Sequence, residues 1–197
     1  MRFFVCAVSA ILLVTNSNTQ ASENHQHTSK YVGQVNRTIK SLSPDDISEL
    51  KRGGGWGLAK AAELNGVPGP VHLLELKDQI PLSTSQVSKI TRIYEDMKGK
   101  ATDLGLQLIA LEQRLELHFE KRSITDSILR SSLEKISEVR KELRYTHLVS
   151  HLRTPDILSE TQISKYNALR GYGSSDTCDN VPKGHNAEMW RKHNGCR

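Results

Sequence analysis

The stretch from Leu82 to Phe119 constrains this chain more than any other. Val87, Ile90, Tyr94, Met97, Ala101, Leu104, Leu108, Leu111, Leu115 and His118 follow one another at spacings of three and four residues without a break. That is a heptad seam, the pattern of a long helix packing along one edge against another helix. No proline interrupts it, and Gly99 and Gly105 are only mild costs. At about 1.5 Å per residue such a helix is roughly 55 Å long. A helix of that length cannot bury its seam against itself. It needs a partner in the same chain, a second copy or a client.

The same chain supplies one. Ser123-Ile124-Thr125-Asp126 reads as a turn with Ser123 or Thr125 as the next cap, and a second helix follows from about Asp126 to Leu152. Leu129, Leu133, Ile136, Val139, Leu143 and then Thr146 or His147 form its apolar seam. A short turn between two long helices makes them antiparallel neighbours. Ile136 is then expected near Leu111, Leu143 near Leu104, and His147 near Lys100. The expected fold class is all-α: a long antiparallel helical hairpin with shorter flanking helices.

The flanking helices announce themselves by their caps. In Leu42-Ser43-Pro44-Asp45-Asp46-Ile47, Ser43 is the N-cap, Pro44 fits the first helical position and Asp46 stands three residues after the cap. Gly53, Gly54 and Gly55 end that helix, and Trp56 to Leu64 is a second short helical stretch closed by Asn65-Gly66. Pro68-Gly69-Pro70 is a rigid turn opening a helix whose apolar face, Val71, Leu73, Leu74 and Leu76, stops at Pro81; His72 points off that face to solvent or to a cap. Leu82-Ser83-Thr84-Ser85-Gln86-Val87 is a capping box: Ser83 caps, Gln86 reaches back, and Leu82 with Val87 forms a hydrophobic staple. Leu158-Ser159-Glu160-Thr161-Gln162-Ile163 repeats the device with Ser159 and Gln162, opening a helix that runs to Arg170 and stops at Gly171.

The ends are of different character. Arg2 followed by the apolar run Phe3 to Val14, with Thr19-Gln20-Ala21 at a cleavage position, reads as a signal peptide over 1–21; the run is too short to span a bilayer. Residues 22–40 are polar and without period, a mobile tail carrying His25 and His27. The helical domain is expected over 41–170. A polar, glycine-rich tail over 171–197 follows, with a helical turn from Ala187 to Lys192. Removal of the signal leaves Cys178 and Cys196, which an exported protein is expected to pair. No later segment is apolar enough for stable membrane insertion. The 5% aromatic and 25% charged content of the 197 residues suits an elongated helical protein with a thin core. The net charge of +5 is spread among interleaved carboxylates, which reads either as a solvated surface or as a basic face for anionic partners.

Two copies of Leu-Ser-x-x-Gln, Leu82 to Gln86 and Leu158 to Gln162, are the most specific motif. They resemble the LTxxQ motif of the Spy/CpxP family of bacterial periplasmic proteins, with serine where the family name has threonine. The segment Ala62 to Pro70 and the Leu169-Arg170-Gly171-Tyr172 end are also similar to exported proteins of this type. The resemblance covers roughly Ser41 to Tyr172. It implies a periplasmic, ATP-independent chaperone or envelope-stress adaptor, working as a homodimer on unfolded client proteins or on a sensor or regulator protein. It also implies an alternative, a periplasmic heavy-metal-binding sensor or resistance protein.

The metal alternative has residues of its own. His147 and His151, four apart, share one helix face, a spacing that can chelate a divalent ion. The pairing of the long helices puts Glu95, Asp96 and Lys100 near them, so Asp96 is a candidate third ligand. No cofactor is required by any motif; the ions to consider are zinc, copper, nickel and cobalt. Cys178, His185, His193 and Cys196 match no zinc-binding spacing, and in an oxidising compartment a disulfide is the stronger expectation. No enzyme signature is present: Gly53 to Gly57 lacks the lysine and hydroxyl of a phosphate loop, and there is no nucleophile elbow. Nucleic acid is not an expected partner after export.

Overall fold

The structure, a computed structural model, describes residues 28–172, 178, 181 and 183–196. The expected signal peptide and the pair His25 and His27 lie outside the described residues. Met1–Gly33 separates from Gln34–Arg197 as a unit of its own, and in its described part the Val32 N–H donates to the Ser29 carbonyl. Gln34–Arg197 is the larger unit.

This unit is all-α among the described residues. Helix α1 spans Pro44–Lys51, α2 Lys60–Glu63, α3 Pro70–Glu75, α4 Thr84–Glu120, α5 Asp126–Leu152, α6 Glu160–Arg170 and α7 Ala187–His193; a 3₁₀ turn, Pro155–Ile157, joins α5 to α6. The long pair dominates. The Ser150 hydroxyl reaches the Met97 thioether at 3.4 Å, and Arg140 Nε lies 3.9 Å from Glu112 Oε1, so the start of α4 lies beside the end of α5. Between them, Thr125 caps α5 by accepting from the Ile128 N–H at 3.3 Å.

Two apolar clusters hold the short helices onto this pair. In the first, Ile39, Leu42 and Leu50 close over Ala101, Leu108, Ile136 and Leu143, with Trp56 and Leu58 packed against them. In the second, Leu73, Ile80, Ile90 and Tyr166 are buried together, with Leu82 and Leu158 beside them. Ile39 and the Lys40–Glu116 ion pair belong to the packed unit, so order reaches back before residue 41 and the stretch 22–40 is not a tail throughout.

The heptad seam needs correcting in its second half. Ile90, Met97, Ala101 and Leu108 are buried as expected, but Gly105 and Glu112 are buried with them, while Leu111 and Leu115 are only half-buried. A straight helix drifts away from a strict seven-residue repeat, and here α1 packs on the drifted face. The α1 backbone comes so close that a Cβ on Gly105 would overlap the Leu50 carbonyl. On α5, Leu133 is exposed although the seam placed it inward.

The short helices also differ from expectation. Helix α2 has four residues where a stretch from Trp56 to Leu64 was expected. Trp56 and Gly57 have φ of 43° and 69°, left-handed values that a right-handed helix cannot contain. Helix α3 ends at Glu75 and gives way to turns before Pro81. All three Ser caps form as read, each with its reciprocal side-chain bond, from Asp46, Gln86 and Gln162.

Candidate functional site

The two Leu-Ser-x-x-Gln boxes are one structural unit. Gln86 Oε1 accepts from the Ser83 N–H and Gln162 Oε1 from the Ser159 N–H, each at 2.9 Å, so each glutamine closes its own box. The amide groups then cross over. Gln86 Nε2 donates to the Ile157 carbonyl at 2.7 Å and to Gln162 Oε1 at 2.9 Å; Gln162 Nε2 donates to the Pro81 carbonyl at 2.7 Å and to Gln86 Oε1 at 3.1 Å. Each glutamine therefore satisfies the carbonyl that precedes the other's helix. Leu82 and Leu158 pack against the second apolar cluster. With its hydrogen bonds used internally, this unit fixes α6 to the start of α4 and has no free chemistry to offer a ligand.

The histidines lie elsewhere. His147 and His151 are 3% and 4% exposed and line one cavity of about 260 Å³. Its wall is built from Gly53, Gly54 and Gly55 after α1, Glu63 of α2, Gly69 and His72 at α3, and Tyr94, Met97 and Lys98 of α4. Asp96 is not among them. It borders a separate groove with Ile93, Lys100, Tyr145 and Arg153. The register along the pair is close to the one expected, but Asp96 faces away from the imidazoles, and Met97 and Tyr94 occupy that side. The expectation of Asp96 as third ligand is corrected accordingly.

Each histidine has its own environment. His151 Nδ1–H donates to the Val67 carbonyl at 2.9 Å, leaving Nε2 as the lone-pair nitrogen, and the ring lies so close to Gly69 that a Cβ there would stand 2.5 Å from Cε1. His147 Nε2 is buried with no hydrogen-bond partner. Burial pushes both imidazoles below the ordinary histidine range; the neighbouring His151 adds to this for His147, and the Val67 bond opposes it for His151. Both are neutral at pH 7. His72 is the opposite case. It is not solvent-facing but lies between Glu63, 3.4 Å from Nε2, and Glu75, 2.8 Å from Nδ1. The Glu63 bond, with help from Glu75 and against desolvation, raises its pKa, and the same contact holds Glu63 below the usual carboxylate range.

The loop that carries this wall is clasped. Besides the His151–Val67 bond, Thr154 Oγ1 donates to the Pro68 carbonyl, Asn167 Nδ2 donates to the Gly66 carbonyl at 3.1 Å, and the Gly69 N–H donates to the Tyr166 hydroxyl at 3.4 Å. Sequence reading found the rigid Pro68-Gly69-Pro70 turn but not its partners. It missed Glu63, His72 and Met97 as neighbours of the histidine pair, since no spacing links them. Among the described residues, no three His, Cys, Asp or Glu side chains are grouped so as to hold a metal ion.

The remaining expected pair is present: Cys178 and Cys196 form a disulfide, with Cα atoms 5.6 Å apart. It closes a loop around α7, where Arg191 Nε donates to the Cys178 carbonyl at 3.1 Å. Among the described residues no helix is long and apolar enough to cross a membrane.

No family model, no curated protein and no solved structure matches the chain.

Proposed function

We propose that this chain is an exported, ATP-independent helical chaperone or envelope-stress adaptor of the Spy/CpxP kind, with its long helices forming an antiparallel hairpin that binds protein. The observation that carries the reading is the outer surface of the long helices. Leu106, Leu117 and Phe119 on α4 and Leu133, Tyr145 and Leu152 on α5 are all exposed, on helices otherwise covered in charge. Large apolar side chains left in water on an elongated scaffold suit transient contact with unfolded chains or with a regulator. The paired glutamine boxes support the family side of the reading, since they make the repeated motif a single structural device. Export rests on the amino-terminal signal pattern, and a homodimer would cover the half-buried seam beyond Leu108. Purified protein at near-stoichiometric ratio and without ATP should suppress the aggregation of a chemically unfolded client. Absence of suppression at low salt sinks the reading.

A second reading, a periplasmic metal-binding sensor or resistance protein, is favoured by one observation. Two neutral, buried imidazoles, His147 without a partner at Nε2 and His151 oriented by a carbonyl at Nδ1, line the same cavity as His72 and Glu63. Zinc, copper, nickel and cobalt titrations of the wild type and of the double variant His147→Ala/His151→Ala test it; equal binding by the two removes the site.

A further inference from the structure

The run Gly53-Gly54-Gly55 after α1 lines the histidine cavity, and the residue that follows it is strained. Trp56 has φ of 43°, in the left-handed region, where a bulky side chain is a genuine outlier. Every flanking position that needs freedom is glycine, yet the strained one is tryptophan. Its side chain explains why the conformation persists. The indole N–H donates to Asp46 Oδ1 on α1 at 2.7 Å, the Arg140 guanidinium of α5 lies over the ring at 5.2 Å, and the ring packs against the first apolar cluster. Arg140 is in turn 3.9 Å from Glu112, which is buried and accepts from the Ser41 hydroxyl at 3.0 Å.

We propose that Trp56 is a latch: its three anchors hold the glycine wall closed over His147 and His151, and their release lets the wall swing away and admits ligands to the cavity. The strain supplies the direction of motion, because a Trp56 freed from Asp46 and Arg140 relaxes to negative φ and carries Gly55 with it, while the Gly53 and Gly54 N–H groups stay bonded to the Leu50 and Glu49 carbonyls of α1. The glycines supply the compliance. Helices α4 and α5 need not move, so the opening is local. This concerns access to the cavity and holds whether or not the cavity binds metal.

Histidine acylation by diethylpyrocarbonate on the full chain at pH 7 reads that access, since the reagent attacks neutral imidazole. His147 and His151 fall in one tryptic peptide, 145–153, where mass spectrometry separates them from each other and from Tyr145. In the wild type both should label slowly. Trp56→Phe, which keeps the ring and loses the indole N–H, should speed their labelling by about tenfold, the effect of losing one hydrogen bond to a carboxylate. Arg140→Leu should speed it in the same direction, and Trp56→Ala more than either. Ile80→Val, a core change in the second apolar cluster, serves as the control for general loosening. Labelling that rises equally in Ile80→Val overturns the proposal, as does labelling in Trp56→Phe and Arg140→Leu at the wild-type rate.

Discussion

Gln86 and Gln162 face each other across the starts of α4 and α6, each donating its side-chain amide to the other's oxygen, at 2.9 and 3.1 Å. Because each also caps its own helix and satisfies the carbonyl before the other's, the two residues act as one device. Replacing either with alanine leaves a carbonyl, a cap N–H and the partner amide unsatisfied. Each single variant should lose about 2–3 kcal/mol in urea unfolding, and the double variant less than the sum, with a coupling of about 1 kcal/mol. Additive losses would show that the boxes work independently.

Gly99 and Gly105 are both interior to α4, yet they should respond oppositely to alanine. A Cβ at Gly99 meets open space, whereas at Gly105 it meets the Leu50 backbone. Gly99→Ala should stabilise by about 0.5–1 kcal/mol through helix propensity. Gly105→Ala should destabilise by about 1–3 kcal/mol by forcing α1 off the pair. Thermal melts of the two variants, read against the wild type, decide it.

The buried histidines should make acid destabilising well before the carboxylates titrate. With folded pKa values below the ordinary 6.5, His147 and His151 take protons more readily in the unfolded chain, so stability falls as pH drops from 6.5 through their folded values. His72, whose folded pKa is raised, works the other way: its contribution is complete below 6.5 and fades as pH climbs through the folded value. Urea midpoints between pH 8 and pH 5 should therefore decline less in His147→Leu than in the wild type. His72→Gln should lose more stability at pH 6 than at pH 9. A wild-type midpoint that rises from pH 6.5 to pH 5 contradicts the first statement.

The disulfide should matter to its own loop and little to the rest. The extended helix contacts are among α1, α3, α4, α5 and the 3₁₀ turn, while Cys178–Cys196 encloses α7. A loop of this length is worth about 3 kcal/mol of local constraint. Cys178→Ser/Cys196→Ser should leave the main unfolding transition unchanged and raise amide exchange over 187–196. A lowered main transition would place α7 in the core.

Much of this architecture was legible because it is written in local patterns. The α5 boundaries, the two glutamine capping boxes and the Ser43 cap, the arrest of α6 at Gly171 and the pairing of Cys178 with Cys196 follow from spacing and residue type alone, through hydrogen bonds made within four residues or a cysteine count. Where a neighbour distant in sequence intervenes, the local reading slips. Trp56 leaves the helix expected of it because Asp46 and Arg140 hold its side chain.

The sequence by itself determined that this is a helical chain organised on Leu82–Phe119, with a second long helix to cover it and two glutamine boxes at matching helix starts. Only the tertiary structure decided that those boxes bond to each other, that Asp96 turns away from His147 and His151, and that Glu63, His72 and Met97 gather around them. The reason is geometric. Hydrophobic period specifies which face of a helix is buried, but the rotation and crossing of two helices specify which polar side chains meet. Here that was set by the backbone of α1 seated against Gly105 and by the loop at Gly69 beneath the His151 ring.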